Sequence, residues 1–183
     1  MRSRSGSAST DRARSLLRYL TPDAIVERVE DISTELLAEW GVRGVVLDLD
    51  NTIVPWNTSD VAPGVRAWVI GLRDARIGVC VLTNNYTRRA SSVARLLDIP
   101  IIKAAFKPSP MAFRSALARM SIEAEEGAVV GDQLYTDILG GKLVGMRAVL
   151  VNPLSTREFV TTRFVRWLER PFRARLPKPG ESR

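Results

Sequence analysis

The chain has 183 residues, 45% of them hydrophobic, and a formal net charge of +7, which suits one compact domain with tails. It contains no histidine and a single cysteine, Cys80, so His-based triads, His metal sites and an intramolecular disulfide are excluded. No apolar run approaches the roughly 18 residues of a membrane span, and no apolar segment near the start has the form of a signal peptide.

The charge is uneven. Residues 1–20 carry five Arg and one Asp, residues 157–183 carry eight basic and three acidic groups, and the 136 residues between hold 14 basic against 16 acidic groups. Basic tails suit an anionic surface, either nucleic acid or phospholipid.

Residues 1–15 are rich in Ser and Arg with little to bury, and they are expected to form a disordered basic tail. A main domain is expected over 16–155. Thr21-Pro22 has the form of a helix cap with Pro at the first position. Ile25, Val26, Val29 and Ile32 then recur at helical spacing, predicting a helix. A second short helix is predicted from Ser33 to Trp40, stopped by Gly41. Strands are predicted at Gly44–Leu49, Gly78–Leu82, Ile99–Ile102, Gly127–Val130 and Arg147–Val151, and helices at Pro63–Ala75, Thr87–Leu97, Pro110–Met120 and Leu134–Leu143. This alternation predicts an α/β fold of βαβ units with a parallel central sheet. Right-handed crossovers place helices on both of its faces, three layers in all. Cys80 reads as a small buried hydrophobe inside its strand.

Beyond Asn152-Pro153, residues 156–175 read as a basic amphipathic helix. Val160, Phe164, Trp167 and Leu168 line one face, Arg163, Arg166 and Arg170 adjoin it, and Pro171 is expected to interrupt it. Such a strip either packs on the domain or lies on a membrane surface. Residues 176–183 read as a second disordered tail.

Ligands of parallel sheets bind at the carboxyl ends of the strands, so the residues there carry the functional argument. The first long strand ends in Asp48-Leu49-Asp50-Asn51-Thr52, the second in Thr83-Asn84-Asn85; Lys107-Pro108 follows the third, and the fourth ends in Gly131-Asp132 with Asp137 five residues on. Two carboxylates closing one buried strand repel each other and are both disfavoured by desolvation. A divalent cation is the simplest way to keep them ionised.

The four groups resemble, in order, the motifs of the haloacid dehalogenase (HAD) superfamily of phosphotransferases. These are DxDNT at Asp48–Thr52, a strand-ending Thr at Thr83, a lysine at Lys107, and an acidic GDxxxxD motif from Gly131 to Asp137. The resemblance implies a HAD-like Rossmannoid α/β/α fold. It implies that Asp48 is the nucleophile and Asp50 the acid and base. Mg²⁺ would be held by the Asp48 carboxylate, the Asp50 backbone carbonyl and Asp132, with Asp137 binding through water or orienting the ligands. Thr83 and Lys107 would bind and neutralise the phosphoryl group, with Thr52 and Asn84 also facing substrate. Val54-Pro55-Trp56, Thr83-Asn84-Asn85, the run from Gly131 to Gly141, Leu20–Asp23 and Asn152–Leu154 are similar to the YqeG-type HAD IIIA subfamily in particular.

The gaps from Asp48 to Thr83 and from Thr83 to Lys107 are filled by the predicted elements, leaving no room for a cap domain. An uncapped mouth suits a large substrate. The YqeG-type group includes phosphatidylglycerophosphate phosphatases, so the expected activity is Mg²⁺-dependent hydrolysis of that anionic lipid in phospholipid biosynthesis. Peripheral membrane contact would run through the basic tails of a cytoplasmic protein. Two alternatives are a phosphatase for a soluble nucleotide, sugar phosphate or phosphoprotein, and a nucleic-acid or ribosome-binding protein with a vestigial site. The filled catalytic positions and the lack of an aromatic-basic signature speak against nucleic acid.

Overall fold

The computed structural model describes residues 17–155, 168–169, 171–174 and 176. The expectations for residues 1–15 and 177–183, and those for Val160, Arg163, Phe164, Arg166, Trp167 and Arg170, lie outside these residues.

Six strands make one parallel sheet in the order β1-β6-β5-β2-β3-β4. They are β1 (Ala24–Val26), β2 (Gly44–Leu47), β3 (Gly78–Leu82), β4 (Ile101–Ile102), β5 (Gly127–Gly131) and β6 (Arg147–Val151). The helices around the sheet include α1 (Thr34–Glu39), α2 (Pro63–Asp74), α3 (Arg88–Leu97), α4 (Pro110–Met120) and α5 (Leu139–Val144). β2 is buried at all four positions, as a central strand covered on both faces must be. Its side chains alternate between two cores. Val45 and Leu47 pack with Val69 and Leu72 of α2 and Val93 of α3. Val46 packs with Phe113 and Leu117 of α4 and with Ile138. Cys80 joins the second core, and burial pushes its thiol up to about 11, which keeps it a neutral apolar filler.

The sequence reading is corrected at the amino-terminal side. No helix runs from Thr21 to Ile32. Ala24–Val26 instead form the edge strand β1, and Val29–Asp31 a single 3₁₀ turn. The apolar spacing was real but served a different geometry. Val29 and Ile32 enter the core from the turn, while the strand is fixed by its neighbour β6. Asp23 clinches the pairing: its Oδ2 accepts the Ala148 amide at 2.7 Å and the Lys142 ammonium at 2.6 Å. A three-residue strand has no alternation to read, so only its partner identifies it.

The predicted Leu134–Leu143 helix opens instead with a π-helical turn, Leu134–Ile138, before α5 begins. Residues 168–169 and 171–173 have helical backbone. Leu176, placed in the terminal tail by sequence, packs with Phe172 against the second core. No helix of the described residues is long and apolar enough to cross a membrane.

α5 approaches the sheet through two glycines. A Cβ on Gly140 would lie 2.1 Å from Phe113 Cε2, and one on Gly141 2.2 Å from Val129 Cγ1. Phe113 is fully buried and cannot yield cheaply. Gly140→Ala should therefore destabilise the fold by about 1–3 kcal/mol, lowering the melting temperature by roughly 3–10 °C. An unchanged thermal melt would show that the ring has room to move.

Candidate active site

β2 lies between β5 and β3. The chain leaves β2 toward β3 and later returns to the other side at β5. The crevice past the carboxyl ends of β2 and β5 is thus the point where strand order reverses, and ligands of open α/β sheets bind there. Asp48 follows β2 directly, and Asp132 follows β5. Asp137 is brought in by the π-helical turn. Each of these three carboxylates can offer an oxygen within 4.8 Å of the others, and all three are buried. Gly131 makes the approach possible, since a Cβ there would stand 2.4 Å from Asp137 Cγ.

Lys107 is also buried. Its Nζ lies 2.5 Å from Asp48 Oδ1 and 2.7 Å from Asp137 Oδ1. Thr52 donates its hydroxyl to the other Asp48 oxygen at 3.1 Å. The Asp48 carboxylate is thereby fixed from both sides. Asp137 is equally committed, because its Oδ2 accepts the Gln133 amide at 3.2 Å. Burial raises the Asp48 carboxyl to about 6, with Lys107 opposing the rise and Asp137 adding to it. Burial raises Asp137 as well, again against Lys107 and reinforced by Asp132. Burial works against the Lys107 charge, but Asp137 and Asp48 outweigh it and hold the ammonium above the ordinary lysine range. Asp48 and Asp137 share that ammonium, and the buried Asp132 carboxylate joins them. The donors are hard oxygens only, and the set fits Mg²⁺.

Asp50 points away from this cluster, toward the rim. Its Oδ1 accepts from Arg89 Nη2 at 2.5 Å and from the Asn57 amide at 3.3 Å, and its Oδ2 accepts from Asn85 Nδ2 at 3.1 Å. Thr83 is buried at the end of β3, and its hydroxyl accepts the Asn85 amide at 3.1 Å. Asn84, expected to face substrate, accepts the Lys107 amide on its Oδ1 at 2.7 Å. All eight sequence-selected residues, Asp48, Asp50, Thr52, Thr83, Asn84, Lys107, Asp132 and Asp137, therefore lie along this strand-end crevice.

The sequence reading missed three residues. Arg89, at the start of α3, ties Asp50 to the loop between β2 and α2 by also donating to the Thr58 carbonyl at 2.6 Å. Its pairing spans 39 residues, and no local pattern announces it. Glu169 is fully buried and accepts the Tyr135 amide at 3.1 Å. Arg173 bridges Glu169 and donates to the Asp132 carbonyl. The Glu169–Arg173 spacing of four is the only signal the sequence offered for this clamp on the acidic loop.

A parallel sheet of this order with an acidic cluster and a lysine at its switch point defines a HAD-like hydrolase. Residues 105–158 match the HAD-hydrolase-like family model. The chain belongs to the YqeG family of HAD phosphatases, being 36% identical over 165 residues to Probable phosphatase YqeG of Bacillus subtilis, which covers 90% of this chain and 96% of that protein. It is also 27% identical over 144 residues to the chloroplastic phosphatidylglycerophosphate phosphatase 1 of Chlamydomonas reinhardtii, across 74% of this chain and 54% of that one. Among solved structures, a HAD family hydrolase from Streptomyces avermitilis superposes with a TM-score of 0.52 at 20% identity, covering 69% of this chain and 79% of the other. At that identity the likeness speaks to the fold.

Proposed function

We propose that this phosphatase hydrolyses phosphomonoesters through an aspartyl-phosphate at Asp48, and that its substrate is phosphatidylglycerophosphate. The observation that carries the chemistry is the buried cluster in which Lys107 bridges Asp48 and Asp137. An Asp48 oxygen attacks phosphorus as the ester P–O bond breaks. Asp50, at the rim, gives the departing ester oxygen a proton. Water then attacks the phosphoryl group, Asp50 takes its proton, and the Asp48–phosphorus bond breaks to release inorganic phosphate.

Lys107 holds the nucleophile in place and offsets phosphoryl charge. Thr52 sets the rotation of the Asp48 carboxylate. The Thr83 hydroxyl hydrogen-bonds a phosphoryl oxygen, and Asn84 steadies the Lys107 backbone beside it. Asp48, Asp132 and the Asp50 backbone carbonyl would hold Mg²⁺. Asp137, with one oxygen on Lys107 and the other on the Gln133 amide, orients the group. When bound, Mg²⁺ neutralises the carboxylates and the phosphate and draws them together.

Two observations support the lipid substrate. One is the similarity to a phosphatidylglycerophosphate phosphatase over most of this chain. The other is the uncapped site. Between β2 and α2 lies only the loop 48–62, and between β3 and α4 only α3, β4 and their connections, so a lipid headgroup can enter from a bilayer.

The test is phosphate release from phosphatidylglycerophosphate in mixed micelles, beside a panel of soluble nucleotide and sugar phosphates, with Mg²⁺ and with chelator. Turnover of the lipid at least ~10²-fold above the soluble esters, in kcat/KM, is expected. Rates on soluble esters with none on the lipid would sink the substrate assignment. Chelator-resistant rates would sink the metal.

A further inference from the structure

We propose that Tyr86, Phe106 and Met111 form an apolar lip that seats on an anionic phospholipid surface and brings the active-site mouth to the headgroups. The proposal rests on the lipid-substrate reading above and adds the surface that would deliver the enzyme to it. These are the three most exposed large hydrophobic side chains of the described residues, at 80%, 80% and 75%. They are not scattered.

Tyr86 sits on the loop leaving β3, and Phe106 on the loop leaving β4. The two loops are laced together where Ala104 N donates to the Asn85 carbonyl at 3.4 Å and Ala105 N to the Thr83 carbonyl at 3.1 Å. Met111 opens α4 one turn beyond Phe106, whose carbonyl accepts the Ser109 amide at 3.0 Å. All three therefore rim the carboxyl end of the sheet, and Phe106 directly precedes Lys107.

Phe106 also has left-handed backbone, φ 52°. For a bulky residue that conformation is strained, and a side chain so exposed gains little packing from the fold in return. Among the described residues, nothing covers the ring.

The charge around the lip chooses that partner. Arg88 at the start of α3, Lys103 after β4 and Arg114 on α4 are exposed, and none has an ion-pair partner among the described residues. From residue 84 to 114 the sole acid is Asp98, at the far end of α3 from the mouth. Apolar and aromatic tips surrounded by unopposed Lys and Arg match the interface of an anionic bilayer.

The test is co-sedimentation of the full chain with vesicles of phosphatidylcholine, with or without phosphatidylglycerol. It compares the wild type with the triple variant Tyr86→Ser, Phe106→Asn, Met111→Gln. Asn is chosen because it tolerates left-handed backbone. Wild type should bind the phosphatidylglycerol vesicles at least ~10-fold more tightly than phosphatidylcholine alone, and the variant should lose ~10-fold or more of that binding. Its melting temperature and its rate on a soluble aryl phosphate should stay unchanged.

Three results overturn the proposal. These are wild type that ignores phosphatidylglycerol, a variant that binds as wild type does (the basic tails then carrying the contact), and a soluble rate that collapses with the triple change. Lip-dependent vesicle binding without hydrolysis of phosphatidylglycerophosphate would instead leave the surface standing and remove the substrate.

Discussion

Asp48→Asn should abolish phosphate release, by at least ~10⁴-fold in kcat, while making the metal-free protein more stable. Both effects come from one carboxylate. An amide cannot form the acyl-phosphate, so the proposed route has no substitute nucleophile. Stability moves the other way because Asp48 is buried beside Asp137 and Asp132, and its desolvation outweighs the pairing with Lys107.

The sign follows from the raised carboxyl. Folding lifts Asp48 from 3.8 to about 6, so between those values the native state binds more proton than the unfolded one. The metal-free wild type therefore loses stability as pH rises from about 4 to about 6, and the loss is complete above that window. Asn does not titrate and escapes it. Lys107 keeps its Asp137 partner at 2.7 Å, so the substitution orphans no cation.

In chelator at pH 8 the variant should melt roughly 3–8 °C above wild type, about 1–2 kcal/mol. At pH 4 the two should nearly coincide. A variant that melts lower at pH 8, or one that still turns over substrate, contradicts the assignment of Asp48.

Lys107→Met should do the opposite to stability. The substitution keeps the side-chain volume and removes the ammonium that the buried Asp48 and Asp137 carboxylates share. Breaking a buried pair by deleting one partner costs about 3–5 kcal/mol, here roughly 6–20 °C in metal-free buffer. Two outcomes separate this electrostatic cause from a packing defect. Mg²⁺ should raise the melting temperature of the variant more than that of wild type, because it neutralises the same carboxylates. Acidification to pH 5 should recover part of the loss, since Asp48 and Asp137 both hold their protons more tightly than usual. The rate should fall by ~10²–10³-fold with saturating metal. A stability loss that ignores both metal and pH would assign Lys107 to packing alone.

These expectations depend on what burial does to charge, and burial was only partly legible in the sequence. The apolar runs of β2, β3, β5 and β6 identified strands covered on both faces, and the ends of β3 and β6 were placed to the residue. Pro110 and Met120 bounded α4 just as clearly. The strand-end acids and the lysine were legible because topology forces strand termini into one crevice. β1 was not legible, since its three residues take their conformation from β6 and Asp23. The Arg89–Asp50 pair and the Glu169–Arg173 clamp were not legible either, because each joins segments that only the folded sheet makes neighbours.

The alternation of strands and helices, the parallel sheet, and the identity of the groups that meet past its carboxyl edge are written in the chain's own order. Periodicity and strand-end position are local properties of a chain, and local order is what a sequence displays. Tertiary structure alone decided how those groups share their bonds. It put Asp137 on Lys107, turned Asp50 out to Arg89, and drew the carboxyl-terminal clamp onto the acidic loop. It also gathered Tyr86, Phe106 and Met111 at one mouth. Hydrogen bonds and desolvation depend on distances between remote segments, and those distances exist only once the sheet has assembled.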